Sequence, residues 1–204
     1  MNPAKQLAES WVATVDEFVP PLVCRRLVGQ LTDVAWLPSD VAGVDAQQAL
    51  ALHSGRASST AVLERPSGSI QEVLLDIERS LYRTFGVRRS RLESWQVTRY
   101  ATGESYDYHL DCGRWRRHPS GERRRTILIY LERPQRGGAT DFRALGLRVM
   151  PVVGRLVIWN NLLSNGRCNH AMIHAGCKVS RGQKIILTTW ERERRFEPYP
   201  TRRL

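Results

Sequence analysis

The stretch QVTRYATGESYDYHLD, residues 96–111, determines the fold that we predict for the second half of this chain. It consists of two β-rich runs with a glycine-containing turn between them. His109 and Asp111 close the second run, and strand side chains two positions apart project to the same side. The imidazole and the carboxylate are therefore either part of a metal site or two polar residues on a solvated face.

Further short β-rich runs follow this stretch. RTILIYLE, GLRVM, GRLVIWN and QKIILTTWE alternate with turns that contain glycine or proline, a spacing typical of an all-β sandwich or barrel. Before the stretch, residues 1–35 and 69–85 have apolar positions at helical spacing, and Gly86 is placed to end the second helix. We therefore predict a mainly β fold of the α+β class, in which N-terminal helices pack on a C-terminal β-barrel.

The composition indicates a globular protein. The 204 residues, 42% of them hydrophobic and 25% charged, are typical of one domain with a sizeable core. No run approaches the roughly 18 apolar residues that span a bilayer, so we expect no membrane contact. The N-terminus has no apolar stretch between a basic start and a cleavage site, which favours a cytoplasmic location. In that reducing compartment we expect free thiols at Cys24, Cys112, Cys168 and Cys177.

The net charge of +11 raises a nucleic-acid interpretation. The basic residues are mostly arginines that are scattered along the chain. Aromatic residues do not interleave with them in the pattern of a stacking platform for bases. A non-enzymatic basic β-barrel that binds nucleic acid therefore stays a remote alternative.

A metal site would need a third ligand beside His109 and Asp111, and the remaining histidines are the candidates: His53, His118, His170 and His174. Lys184 heads a strongly apolar strand, where an ammonium is costly to bury unless an anion meets it. It either reaches solvent from the strand end or binds the carboxylate of an organic acid. Two histidines and one carboxylate form the facial triad of non-haem Fe(II) oxygenases. A dicarboxylic co-substrate that chelates such an iron would need a cation at its other end.

The C-terminal half resembles the prolyl 4-hydroxylase-like branch of the Fe(II)/2-oxoglutarate dioxygenases over roughly residues 92–192. Five segments match the family in its order: QVTRYATGESYDYHLD, RTILIYL, GGATDF, PVVGRLVIWNNL and HAGCKVSRGQKIILTTW. The upstream segment HSGRASST is similar to an Arg-Ser-Ser loop over the active site of these enzymes.

The resemblance implies a double-stranded β-helix, a jelly-roll or cupin-like barrel supported by helices. It implies one oxygenase domain over residues 1–204, in which residues 1–90 supply helical support and the active-site loop. Residues 91–192 would form the double-stranded β-helix core, and residues 193–204 a basic tail.

Carried over by position, the resemblance assigns roles to individual residues. The iron ligands would be His109, Asp111 and His174. The residues that bind 2-oxoglutarate would be Lys184, Tyr100, Thr140 and Trp190, although Trp190 fits a core position equally well. The substrate loop would contribute Arg56 and Ser58. His170 is the rival of His174, and the spacing to Gly176, Cys177 and Lys184 favours His174.

The implied activity is hydroxylation of an unactivated C–H bond, with Fe(II) as cofactor, 2-oxoglutarate and O2 as co-substrates, and ascorbate as a reductant that such enzymes use. Succinate and CO2 would be released. The substrate would be a prolyl or other amino-acid residue in a peptide or protein. The alternative is a tailoring hydroxylase of a free or carrier-bound amino acid or another small molecule in natural-product biosynthesis. Because halogenases of this kind replace the carboxylate ligand with a small residue, Asp111 argues against halogenation.

Overall fold

The computed structural model describes residues 2–31, 34–39, 55–63 and 68–196. The helices are α1 (Pro3–Ser10), α2 (Pro21–Gly29) and α3 (Gly68–Phe85). The strands of the first half are β1 (Val12–Val15), β2 (Leu37–Pro38) and β3 (Ser59–Leu63). The strands of the second half are β4 (Trp95–Tyr100), β5 (Tyr106–His109), β6 (Arg123–Glu132), β7 (Arg136–Gly137), β8 (Thr140–Phe142), β9 (Leu147–Val149), β10 (Leu156–Asn160), β11 (His174–Gly176), β12 (Val179–Arg181) and β13 (Lys184–Arg192).

Two antiparallel sheets make up the body of the molecule. The larger sheet has seven strands in the order β1-β10-β6-β13-β4-β3-β2, and the smaller has the order β5-β11-β8-β9. A short ladder pairs β12 with β7. The mainly β fold with N-terminal helices is thereby confirmed. No ladder among the described strands closes the two large sheets into a barrel.

Side chains of the central strands alternate between a face that packs on the helices and a face that lines the space between the two sheets. On β6, Ile127 packs with Leu27 and Leu81 of the helices in the larger hydrophobic cluster. Its neighbours Leu128 and Tyr130 belong to a second cluster that lies between the two sheets. Since strand side chains alternate faces, β6 supports the helices with one row and lines the space between the sheets with the other.

The first half of the chain differs from the prediction because it also contributes strands to the larger sheet. Helices are present in residues 1–35, but β1 lies between them and pairs with β10 at the edge of the larger sheet. Its residues Val12 and Ala13 are buried. A four-residue run shows too little periodicity to be assigned without its partner strand. Gly86 ends α3 with a φ of +65°, as predicted.

The predicted division at residues 90 and 192 stays a prediction. Strands β1 and β3 come from the part expected to be helical support, and they pair with β10 and β4 of the second half. Strand β13 ends at Arg192, and residues 197–204 of the expected basic tail lie outside the described part. Among the described helices, none has the length and apolar composition to cross a membrane.

Candidate metal and co-substrate site

Two histidines and a carboxylate lie close together on the face of the smaller sheet that lines the space between the two sheets. His109 ends β5 and His174 begins β11, and the two are direct partners in the ladder. Asp111 follows β5, with its Oδ1 3.8 Å from Nε2 of His109 and its Oδ2 3.7 Å from Nε2 of His174. One ligand atom from each residue lies within 4.8 Å of the others. The three donors are thus placed to share one metal ion.

Backbone carbonyl groups fix the ring orientation of both histidines. Nδ1 of His109 donates to the carbonyl oxygen of Asp107 at 2.8 Å, and Nδ1 of His174 donates to that of Met172 at 2.9 Å. A carbonyl oxygen only accepts, so Nδ1 carries the hydrogen in each ring. Nε2 therefore keeps its lone pair and faces the other ligand atoms, as in metal sites whose histidines are oriented by a backbone acceptor.

Burial and neighbouring charges hold these groups in the forms that bind metal. The pKa of His109 is lowered by burial and by the nearby His174, so its imidazole is neutral at pH 7. Burial alone would raise the pKa of Asp111, but the neighbouring histidines, the Arg123 guanidinium and the hydrogen bond from Thr126 together lower the pKa, so the carboxylate stays ionised. A neutral imidazole and an ionised carboxylate are the forms that ligate metal.

The structure separates the two candidates for the third ligand. His174 is 5% exposed and lies in the cluster with His109 and Asp111. His170 is exposed, in a short 3-10 helix, and lines a separate surface depression outside the cluster. The geometry brings His174 and not His170 to the other two donors.

A cavity of about 100 Å³ extends from the cluster between the two sheets. Eight of the nine residues predicted for the site line this cavity, and the exception is Ser58. The hydroxyl of Ser58 is buried and donates instead to Oγ of Ser39 at 2.7 Å. Arg56 lines the cavity and places its guanidinium 4.6 Å from the ring centre of Tyr106. Of the loop segment HSGRASST (residues 53–60), residues 53 and 54 lie outside the described part.

Lys184 supplies a buried cation at one end of the cavity. It is 1% exposed, and burial lowers the pKa of its ammonium from 10.5 to about 8. Its Nζ lies 4.0 Å from the ring centre of Tyr100, its partner across the β13–β4 ladder. The aromatic face stabilises a cation only in part, so the site is electrostatically prepared for an anion.

Gly176 and Thr140 border the same end of the cavity. A Cβ on Gly176 would lie 3.5 Å from Nζ of Lys184 and 3.7 Å from the hydroxyl oxygen of Tyr100. The glycine thus leaves a small space open beside the ammonium. Thr140 is 3% exposed, and its Oγ1 lies 2.6 Å from the hydroxyl oxygen of Tyr130, which holds it in place.

Trp190 lines the opposite end of the cavity rather than the core behind the sheet. The guanidinium of Arg123 lies 3.6 Å from its ring centre. Arg123 donates to both carboxylate oxygens of Glu93, at 2.7 and 2.8 Å, and Glu93 also pairs with Arg192 at 2.6 Å. The wall around Trp190 therefore contains an arginine that is paired with a carboxylate.

Sequence reasoning missed polar residues that lie between the predicted ones on the central strands. Thr188 lies on β13 between Lys184 and Trp190 and lines the cavity. Thr98 lies two residues before Tyr100 on β4 and lines it too. The sequence could have predicted both residues, because every second residue of a strand, counted from Lys184 or from Tyr100, points to the same face.

The cysteines require a correction. The structure pairs Cys112 with Cys168 in a disulfide, with Cα atoms 5.8 Å apart, so the expectation of free thiols is wrong for these two. Cys24 and Cys177 are free, as expected. The pair is 56 residues apart in sequence, and spacing alone does not identify such partners. The bond links the segment after Asp111 to the loop before His170.

Alkylation in denaturant distinguishes the two states of the cysteines. We expect iodoacetamide to modify two cysteines, Cys24 and Cys177, when no reductant is present, and all four after reduction. Peptide mass spectrometry of the unreduced sample should recover a crosslinked peptide that contains Cys112 and Cys168. Four modified cysteines in the protein purified without reductant would contradict the pairing.

Comparison with known families and proteins supports the same interpretation. The family model described as the 2OG-Fe(II) oxygenase superfamily matches residues 95–192. The chain is 31% identical over 133 residues to prolyl 4-hydroxylase subunit alpha-2 of Caenorhabditis elegans, covering 62% of this chain and 25% of that protein. It is 33% identical over 134 residues to prolyl 4-hydroxylase subunit alpha-1 of Gallus gallus, covering 63% and 26%. The chain thus spans about a quarter of the length of these curated relatives.

Solved structures show the same fold. A viral collagen prolyl hydroxylase from Paramecium Bursaria Chlorella virus-1, in a 2OG complex, matches with a TM-score of 0.69 at 22% identity, over 91% of this chain and 97% of that one. A Trichoplax adhaerens prolyl hydroxylase in complex with a hypoxia inducible factor peptide fragment matches with a TM-score of 0.67 at 15% identity, over 94% and 88%. These likenesses confirm the predicted double-stranded β-helix.

Proposed function

Because this chain belongs to the 2OG-Fe(II) oxygenase superfamily, in its prolyl 4-hydroxylase-like branch, we propose that it hydroxylates a prolyl residue in a peptide or protein. Fe(II) is the cofactor, and 2-oxoglutarate and O2 are the co-substrates. In the balanced reaction one oxygen atom enters the substrate as a hydroxyl group. The other enters succinate, and the C1 carboxylate of 2-oxoglutarate leaves as CO2.

The observation that carries the proposal is the grouping of His109, Asp111 and His174 beside a cavity that contains Lys184. The two nitrogen donors and the carboxylate are the donor set of non-haem Fe(II) oxygenases, which leave coordination positions for co-substrate and O2. Both imidazoles present Nε2, and both ligand types are in their metal-binding protonation states. The donor set therefore fits Fe(II).

The Lys184 end of the cavity fits the second carboxylate of 2-oxoglutarate. A buried ammonium without an anion is unfavourable, and a carboxylate would supply the missing charge. Thr140 and Tyr100 add hydroxyl groups beside it, and Gly176 leaves the space. In this proposal the co-substrate lies between Lys184 and the metal ligands.

Bound Fe(II) would supply the O2-dependent oxidation that decarboxylates 2-oxoglutarate and removes hydrogen from the substrate. The chain holds the reactants and excludes water. His109, Asp111 and His174 would hold the Fe(II) to which one end of the co-substrate binds, and Lys184 would fix its other end. The cavity lies between two packed sheets and is partly enclosed, so most of its wall is protein rather than solvent.

Two buried polar atoms support a substrate site at the Trp190 end. The hydroxyl of Thr188 and the indole Nε1 of Trp190 have no hydrogen-bond partner among the described residues. Buried polar groups without partners are rare and are a sign of a ligand or water in the functional state. Arg114 lines the same cavity and adds a donor that suits the carbonyl groups of a peptide, whereas Arg56 lies against Tyr106.

An anaerobic titration tests the chemistry. Addition of Fe(II) and then 2-oxoglutarate to the protein is expected to produce the visible charge-transfer band of a keto acid chelated to iron. Readmission of O2 with a capped Ala-Pro-Ala-Pro-Ala peptide should release succinate and add one oxygen atom to a prolyl ring. Free L-proline, offered in the same assay, represents the small-molecule alternative.

Each outcome of this experiment has one meaning. A band followed by peptide hydroxylation supports the proposal. A band followed by oxidation of free L-proline alone would replace the peptide substrate by a small molecule. Folded protein that gives no band and binds no Fe(II) would overturn the oxygenase function. A salt-sensitive affinity for nucleic acid would then favour the remote alternative.

A further inference from the structure

Two buried residues that have no role in the proposed chemistry connect to the carboxylate of Asp111. Oγ1 of Thr126 donates to Oδ2 of Asp111 at 2.6 Å. Nδ2 of Asn161 donates to Oγ1 of Thr126 at 2.8 Å. Thr126 lies on β6 and Asn161 directly after β10, and each is 1% exposed. Two buried hydrogen bonds thus connect the three side chains in series, and the series ends at a proposed metal ligand.

The chemistry of the three groups determines which one donates and which one accepts in each of these two hydrogen bonds. A carboxylate that ligates a metal can only accept, so the hydrogen between Oδ2 of Asp111 and Thr126 must come from the threonine hydroxyl. That hydroxyl has only one hydrogen, so its oxygen can only accept from Asn161. The amide must therefore turn its NH2 group toward Thr126, as the structure has it, and its Oδ1 has no partner among the described residues.

The backbone holds Asn161 at this position. Its N–H donates to the carbonyl oxygen of Arg124 at 2.9 Å, and its carbonyl oxygen accepts from the N–H of Asn169 at 2.8 Å. Arg124 belongs to β6, two residues before Thr126. The Asn161 residue is thus anchored to the strand that carries Thr126, which fixes the distance between the amide and the hydroxyl. We call the pair Asn161 and Thr126 the relay.

We propose that Thr126 and Asn161 are positioning residues of the metal site, which hold Asp111 by Oδ2 so that Oδ1 is presented to the metal. The inference rests on the proposed function, because it requires that Asp111 ligates Fe(II). A carboxylate that ligated through both oxygens would occupy a position that the facial triad leaves open for co-substrate or O2. The relay engages Oδ2 and favours ligation through one oxygen. Groups that orient a ligand in this way typically affect metal affinity by about 10- to 100-fold.

Metal affinity in the absence of turnover tests the relay. We would measure Mn(II) binding by electron paramagnetic resonance and, separately, the position of the Fe(II)–2-oxoglutarate band under anaerobic conditions. Thr126→Val, which keeps shape and removes the hydroxyl, should weaken Mn(II) binding about 10- to 100-fold and shift the band. Thr126→Ser restores the hydroxyl and should bind within about threefold of wild type.

Asn161→Ala shows whether the two residues act as one unit. Without the amide donor the threonine hydroxyl is free to rotate, so we expect a smaller loss than in Thr126→Val. The double variant should bind no more weakly than Thr126→Val alone, since the amide acts only through the hydroxyl. Additive losses in the double variant would overturn the relay. Asn161→Ala lies on another element and tests the proposal even where Thr126→Val does not fold.

A matched control separates positioning from stability. Thr189 is also a fully buried threonine of the larger sheet, and its hydroxyl donates to the carbonyl oxygen of Glu93 on the helix-facing side. Thr189→Val should lower the midpoint of thermal unfolding and leave Mn(II) affinity unchanged. Wild-type affinity in folded Thr126→Val would overturn the inference and leave the oxygenase function standing. Absence of Mn(II) and Fe(II) binding by the wild type would overturn both.

Discussion

Replacement of His174 by alanine is expected to abolish both metal binding and 2-oxoglutarate turnover. Its Nε2 lies 3.7 Å from Oδ2 of Asp111, and its Nδ1 is held by the carbonyl oxygen of Met172. Four-ligand structural zinc sites bind with ~10–16 kcal/mol, so one ligand is worth ~3 kcal/mol, roughly a hundredfold in affinity. With two protein ligands left, the site should lose Fe(II) during purification.

His170→Ala is the matched control for this experiment. His170 lies four residues before His174 and is exposed, outside the group of ligand atoms. We expect wild-type Fe(II) affinity and turnover in His170→Ala and no visible charge-transfer band in His174→Ala. Circular dichroism of both variants checks that the fold is intact. The reverse result, with loss of the band in His170→Ala alone, would contradict the assignment of the third ligand.

Much of the site could be predicted from the sequence because side chains along a strand alternate between its two faces. Residue spacing therefore indicates which side chains face the same side. The positions of His109 and Asp111 and the apolar run after Lys184 predicted groups that face one cavity, and the structure places them there. The choice of His174 over His170 came from the family spacing. Their local sequence does not distinguish a ligand from an exposed histidine.

The remaining features depend on contacts between distant segments. Thr126 reaches Asp111 only because β6 runs beside the segment after β5, and Asn161 joins it from the end of β10. The Cys112–Cys168 pair likewise joins two loops. Strand β1 is stabilised by pairing with β10, which lies more than 140 residues away in sequence. Such contacts are set by register and topology, which the pattern of a single segment does not specify.

Replacement of Lys184 by methionine is expected to weaken 2-oxoglutarate binding at least about a hundredfold, because loss of one member of a buried ion pair costs ~3–5 kcal/mol. Methionine keeps the length of the side chain and removes the charge. Isothermal titration with Mn(II)-loaded protein measures the affinity without turnover. Lys178→Met is the control, since Lys178 is an exposed lysine six residues earlier. Unchanged affinity in Lys184→Met would exclude the carboxylate partner.

The pH dependence of binding should report the same ammonium. Its pKa in the free protein is lowered to about 8 by burial, and a bound carboxylate would raise the pKa again. Above pH 8 the free protein must take up a proton to bind, so the dissociation constant of 2-oxoglutarate should rise by up to roughly tenfold per pH unit. Lys184→Met should show no such rise. A flat profile in the wild type would contradict the role of the ammonium.

The same substitution should make the protein without 2-oxoglutarate more stable. A fall of the pKa from 10.5 to about 8 means that burial of the charged lysine costs ~3 kcal/mol at neutral pH. Between pH 8 and 10.5 the unfolded chain binds more protons than the folded one, so wild-type stability should rise with pH relative to Lys184→Met. Thermal unfolding at pH 7 should therefore give a higher midpoint for Lys184→Met, and 2-oxoglutarate at a concentration that lies between the dissociation constants of the two proteins should raise the wild-type midpoint far more than that of the variant. A lysine retained at a cost to stability and required for ligand binding is one whose position is set by function.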